Sequence, residues 1–364
     1  MRSVLLIATV ILSGCAMPGA FGSRAVPLAP AAGRPATPSA YLYVADEGGT
    51  LNYGGVTVYD PGLRRAVRSV TRGVFNPMSI AVGADATLYV LNGSSGYAGG
   101  IRVTEYDAES RKPSRRIDKL YWGVALATDS SNNLYVANCN SCVDEGAPPR
   151  NKAADAVTVY GPKQTKPMRT IEQRIHTPQS LAVDSRGYVY VANGGTPKAR
   201  PSITVYAPGS TALLREVKLS IHRDLKYMTL DSQGNLYVTN RDEVIEFGPG
   251  LHPVLRRIRD EVESPRALAV DTSGNLYVAN DAGFPATYGI SVYPPGATHA
   301  KYRIKRDVND PVALAIDGDG RLYVANDGGT GNGDLEVFKP GARRPARLLG
   351  GNQYGDPIAL AFGA

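Results

Sequence analysis

The residues able to do chemistry in this 364-residue chain are few, and their spacing is as informative as their types. His176 and His222 lie 46 residues apart, with Asp224 just beyond the second. Two imidazoles beside a carboxylate are a minimal set for proton transfer or for metal-assisted bond cleavage. Asn138, Asn193, Asn240, Asn280 and Asn326 recur at intervals of 55, 47, 40 and 46 residues, and Asn92 and Asp46 extend the series upstream. Such a set of oxygens suits Ca²⁺ or another divalent cation. Because the residue recurs in all seven copies, the favoured role is structural, an Asx-turn in which each side chain bonds its own glycine-rich loop. Cys139 and Cys142 form a single Cys-x-x-Cys pair, while Trp122, Gln179, Lys226 and Arg266 are side chains suited to recognising a ligand.

The elements that must position these residues follow from one phrase, Leu-Tyr-Val-Ala-Asn at 134–138. Recognisable copies begin at Leu42, Leu88, Leu134, Val189, Leu236, Leu276 and Leu322. A period in this range marks a repeat architecture. Each repeat contains short β-branched and aromatic runs separated by Asp/Ser/Gly/Asn and Pro-Gly turns, which predicts four antiparallel strands, a to d in chain order. The phrase is strand b. Seven copies predict an all-β, seven-bladed β-propeller spanning 41–364, with four antiparallel strands per blade. No a strand precedes the first b phrase, and Asp356 to Phe362 reads as an a strand with no b strand after it. The C-terminal strand is therefore expected to join the N-terminal blade and close the ring.

The pattern Pro-x-x-Leu-Ala-Val-Asp-x-x-Gly-Asn-Leu-Tyr-Val-Ala-Asn, followed by Val-Thr-Val-Tyr-x-Pro-Gly, resembles NHL-type and YVTN-type propeller repeats. The resemblance implies the fold and leaves the function open, because such repeats serve enzymes, sensors and binding proteins alike. Metal-dependent lactonases of this kind place a Glu and several Asn/Asp ligands around the axis, and related lyases use His. Here no Glu stands at the start of an a strand.

The first residues carry an address. Arg2 precedes the apolar run Val4 to Leu12, too short to span a bilayer but suited to a signal-peptide core. Residues 1–14 read as a signal peptide, and Leu12-Ser-Gly-Cys15 resembles a bacterial lipobox, which implies lipidation of Cys15, with palmitate among the usual acyl groups. Ala16 in the following position is similar to sorting toward the outer membrane rather than the inner one. Residues 15–40, proline- and alanine-rich and without periodicity, read as a flexible tether. Export makes a Cys139–Cys142 disulfide the expectation for the longest b-to-c loop.

Composition agrees with a turn-rich globule: 43% hydrophobic, 20% charged, 40 Gly and 26 Pro. The formal charge of +7 falls largely on d strands, among them Arg64, Arg65, Arg68, Arg115, Arg116, Arg256, Arg257 and Arg259. These predict a positive outer rim that either protects sheet edges or attracts anionic envelope components. Export argues against nucleic acid.

Length variation is confined to the b-to-c loops, so the face carrying b-to-c and d-to-a connections is expected to be functional. The sequence has no seryl elbow, no His-x-x-x-His helix and no acidic axial ring. The expectation is a monomeric, lipid-anchored scaffold of the cell envelope, without cofactor, that binds a protein or glycan through this face. The alternative is a metal-dependent lyase or lactonase-like enzyme using His176, His222 and Asp224 at the channel mouth.

Overall fold

The structure, a computed structural model, describes residues 40–47, 54–63, 65–93, 101–118, 120, 123–140, 154–194, 200–219, 225–281, 288–327, 333–349 and 357–363. Cys15, nearly all of the tether, Trp122, Cys142, His222 and Asp224 lie outside them. Seven four-stranded antiparallel sheets form a ring. Apart from one 3-10 turn at Pro249–Leu251, regular structure among the described residues is all strand. The innermost strands are Pro77–Val82, Gly123–Thr128, Pro178–Val183, Met228–Leu230, Pro265–Val270, Pro311–Ile316 and Pro357–Gly363. Each touches the next around the axis. The short one, Met228–Leu230 in blade five, falls where the small-residue pattern of the other a strands breaks.

Closure takes the expected form. Tyr41–Asp46 lies between Pro357–Gly363 and Gly55–Tyr59, paired from Tyr41 with Gly363 to Asp46 with Pro357. The first blade is thus built from both ends of the propeller, the C-terminal strand supplying the innermost strand that the N-terminal segment lacks.

The repeated phrase forms its strand because both of its faces are buried between blades. In blade three, Leu134 and Val136 pack against blade two, while Tyr135 and Ala137 pack against blade four. Blade seven divides Leu322 and Val324 from Tyr323 and Ala325 in the same way. Each of the seven junctions between adjacent blades has its own hydrophobic cluster. With each buried Leu or Val contributing about 1.5–3 kcal/mol, the ring is held by its seven junctions rather than by one central core.

The tyrosine of the phrase has a second role. In blade three Asp129 opens the a-to-b turn; its Oδ1 accepts N–H bonds from Ser131 and Asn133 at 2.9 Å. Its Oδ2 accepts the Tyr135 hydroxyl at 3.0 Å. Asp184, Asp231, Asp271 and Asp317 do the same for Tyr190, Tyr237, Tyr277 and Tyr323. Turn and strand are thereby tied together at the face opposite the variable loops.

The d-strand arginines are not simply a rim. Arg68 and Arg256 are buried, and Arg115 has 8% of its side chain exposed. Their Nη1 atoms donate to carbonyls in the c-to-d turn of the following blade: Arg68 to Ser110 at 3.0 Å, Arg115 to Gly161 at 3.3 Å and Arg256 to Pro294 at 2.9 Å. Exposed positive charge remains at Arg116, Arg259 and Arg306. The difference from the sequence expectation comes from strand alternation, which turns every second d-strand residue inward.

Candidate functional site

At the face carrying the b-to-c and d-to-a connections, the asparagine ending the b strand is a clamp in blades two, four, six and seven. Asn92 Oδ1 accepts the Phe75 N–H at 2.7 Å, and its Nδ2 donates to Thr104 Oγ1 at 3.0 Å. Asn193 accepts from His176 N at 3.0 Å and donates to Thr204. Asn280 accepts from Glu263 N at 2.9 Å and donates to Ser291. Asn326 accepts from Asn309 N at 3.2 Å and donates to Asp334 at 2.7 Å. In each case the amide joins the d-to-a loop to strand c. This corrects the Asx-turn reading: the partner is seventeen residues upstream rather than in the asparagine's own loop, as the sequence separation in these bonds shows. Asn138 donates to Thr158 and Asn240 to Glu243, and their Oδ1 atoms have no partner among the described residues.

The clamped loops enter the a strands through non-glycine residues in the left-handed region: Asn76 (φ 42°), Thr177 (φ 45°), Ser264 (φ 43°) and Asp310 (φ 51°). Their carbonyls accept N–H bonds from Gly93, Gly194, Asp281 and Asp327 at 2.8, 2.9, 3.3 and 3.0 Å. Left-handed backbone at such residues costs of order 1 kcal/mol and persists where the surroundings hold it. Here the surroundings include Asp155, whose Oδ2 accepts Thr177 N–H at 2.6 Å, and Asp242, which accepts Ser264 N–H at 3.3 Å. The device sets the residue after each b strand beside the second residue of an a strand. At Gly93 and Gly194 an added Cβ would meet Met78 Sδ at 3.2 Å and Gln179 Cγ at 3.0 Å.

Blades six and seven place charge at this position. Arg266 directs Nε to Asp281 Oδ2 at 2.8 Å, with Nη2 on the same oxygen, and Nη1 to Asp310 Oδ1 at 3.1 Å. Its side chain is 29% exposed. Burial opposes the guanidinium charge, but Asp310 and Asp281 outweigh it and hold the group above its ordinary pKa. Tyr288, at the end of the blade-six b-to-c loop, is pushed up by burial and by the same two carboxylates. One Arg and two Asp thus meet at the mouth, with Tyr288 close enough for both carboxylates to act on its hydroxyl. They offer charged donors and acceptors for a polar ligand.

Of the ligand-binding candidates, Arg266 falls within this cluster. Gln179 lies two blades back, its Nε2 bonded to Thr177 O at 3.2 Å, and Lys226 is half-buried at the start of the blade-five a strand. His176 is exposed, and its intended partners His222 and Asp224, like Trp122, lie outside the described residues. The described residues contain no group of three or more His, Cys, Asp or Glu arranged to hold a metal. Cys139 is fully buried and disulfide-bonded; Cys142, its expected partner, lies outside the described residues. Asp281 and Tyr288 were not singled out from sequence. The available signal was that Asp281 directly follows Asn280, where two other repeats have Gly.

No protein-family model and no curated protein sequence matches the chain. Solved structures do. A putative 6-phosphogluconolactonase from Bacteroides fragilis superposes with a TM-score of 0.66 at 14% identity, covering 89% of this chain and 98% of that one. Kuenenia stuttgartiensis hydrazine synthase gives 0.60 at 14% identity, covering 79% and 90%. The β-propeller domain of Myceliophteria thermophila Cps50 (Swd1) gives 0.59 at 10% identity, covering 75% and 88%. At these identities the likeness establishes a shared fold, the β-propeller, and nothing about activity.

Proposed function

We propose that this chain is a lipid-anchored β-propeller of the bacterial cell envelope, attached through Cys15 at the outer membrane. Its loop-bearing face binds an envelope protein or glycan without catalysis. The observation that carries this reading is the Arg266, Asp281, Asp310 and Tyr288 cluster, held at the mouth by backbone clamps that recur around the ring. Carboxylates and a guanidinium fixed beside an aromatic ring suit hydroxyl-rich or mixed-charge partners. A Cys139–Cys142 bridge would pin the longest loop of the same face. Anchoring makes one clear demand: Cys15→Ser should move the protein from the membrane fraction to the soluble one.

The binding role is tested by photo-crosslinking in cells, with p-benzoylphenylalanine placed at Tyr288 and, as a control, at exposed Leu214 on an outer strand. Discrete adducts from position 288 alone are expected, and their sensitivity to protease or to glycan-degrading enzyme identifies the partner class. Equal labelling from both positions, or none from 288, would overturn the reading. The rival, a metal-dependent lactonase or lyase, draws on the lactonase-like structural relative. A stoichiometric cation in the purified protein, with chelator-sensitive lactone hydrolysis, would replace the binding role by that one.

A further inference from the structure

On the opposite face, at the junction of blades one and two, lies a cleft of about 300 Å³ lined by Tyr41, Tyr43, Val58, Val67, Arg68 and Arg111, with Ala86, Ala108 and Glu109. We infer that this cleft binds a small amphipathic carboxylate, an aryl or short acyl group bearing one carboxyl.

The inference comes from comparing repeats within the molecule. In blade three, Arg169 Nη2 donates to the Tyr135 hydroxyl at 3.1 Å, and that hydroxyl donates to Asp129 Oδ2 at 3.0 Å. The Arg169 guanidinium also lies 5.7 Å from the centre of the Tyr135 ring. Blade one repeats the stacking of the first two members: Arg68 stands 5.7 Å from the Tyr43 ring centre, and its charge acts on the Tyr43 hydroxyl. The third member differs, because the residue in the place of Asp129 is Gly363, on the C-terminal strand. Blade two also lacks this aspartate, having Gly83, but there Asn132 Oδ1 accepts the Ala84 N–H at 2.6 Å and Glu105 on strand c lies close to Tyr89. In blade one the residue in the place of Glu105 is Val58. Blade one therefore has a buried, stacked Arg–Tyr pair with no carboxylate of its own turn or c strand among the described residues, and it is this blade that lines the cleft.

A ligand carboxylate entering the cleft would accept the Tyr43 hydroxyl as Asp129 accepts that of Tyr135. Arg68, whose Nη1 is bonded to Ser110 O at 3.0 Å, supplies fixed positive charge, and Arg111 adds a second guanidinium at the rim against the single Glu109. Val58, Val67, Ala86 and Ala108 provide an apolar wall for the ligand body. The volume suits a ligand of about a dozen heavy atoms.

The test titrates the full chain with 3-phenylpropionate and, separately, with its amide, by calorimetry and saturation-transfer NMR. The acid should bind saturably and at least tenfold more tightly than the amide, which corresponds to about 1.4 kcal/mol. Tyr43→Phe should abolish the preference, while Tyr135→Phe, the same change in blade three, should leave it intact. If Tyr43→Phe disturbs folding, Val67→Trp, which fills the cleft while leaving the Arg68–Tyr43 pair in place, should remove binding with an unchanged melting curve. Equal affinity for acid and amide, no binding of either, or a preference that survives Tyr43→Phe or Val67→Trp would overturn the inference.

Discussion

Glu246 in blade five and Glu336 in blade seven are both buried on the third strand of a blade, and they meet opposite fates. The residue across the sheet from Glu246 is Arg256, and the two form a buried ion pair whose guanidinium continues to Pro294 O in the next blade at 2.9 Å. The residue across from Glu336 is Leu348. Glu336 occupies the position held by Thr104, Thr158, Thr204 and Ser291 in other repeats, and its Oε2 has no hydrogen-bond partner among the described residues. Burial, followed by Asp334 and Asp307, pushes its carboxyl up to about 7. Equal burial thus yields a structural clamp in one blade and a titrating group in the other, according to the cross-strand partner.

The sharpest way to break this contrast is to make Glu246 resemble Glu336. Arg256→Met keeps side-chain volume but leaves Glu246 buried without its cation and frees two carbonyl acceptors in the next blade. Removing one partner of a buried pair costs about 3–5 kcal/mol. Urea unfolding at pH 7 should show that loss. A change below 1 kcal/mol would mean that the pair is not buried in solution.

Glu336 tests the other side. Its folded pKa of about 7 lies above the unfolded value near 4.5, so between these limits the native state holds more protons than the unfolded state. Stability then falls as pH rises through this window and is flat below and above it. Glu336→Gln removes the titration. The variant should match the parent at pH 4.5 and exceed it by about 2–3 kcal/mol at pH 8, from the size of the shift. Equal pH profiles for parent and variant would show that Glu336 is not desolvated.

The fold was legible because a propeller repeats its local code. The Leu-Tyr-Val-Ala-Asn phrase specifies a strand buried on both faces, and its seven copies count the blades. The missing first a strand and the spare last one foretold closure of Tyr41–Asp46 on Pro357–Gly363. The site was less legible, since partners there meet across blades. Arg266 could be singled out, but Asp310 lies 44 residues away in the next repeat, and only ring geometry sets it 3.1 Å from the guanidinium. The asparagines were misassigned to their own loops for the same reason. Their amides act on the preceding d-to-a connection, and nothing in a strand pattern reveals which loop folds over which.

The smallest expected effect compares two tyrosines rather than two glutamates. Tyr135 sits between Arg169 and Asp129, and burial, reinforced by Asp129, pushes its hydroxyl up to about 12. Tyr43 has Arg68 but, among the described residues, no turn carboxylate, and its pKa is raised mainly by burial, with Arg68 opposing. Tyr135→Phe leaves Asp129 with one donor fewer and Arg169 with no hydroxyl acceptor, so it should cost about 1.5–2 kcal/mol. Tyr43→Phe leaves no turn carboxylate among the described residues short of a donor, because Gly363 holds the equivalent place, and should cost less than about 1 kcal/mol. Denaturant midpoints of the two variants, measured side by side without added ligand, decide the matter. If Tyr43→Phe proves as costly as Tyr135→Phe, another acceptor already serves Tyr43, and blade one is no different from blade three at this position.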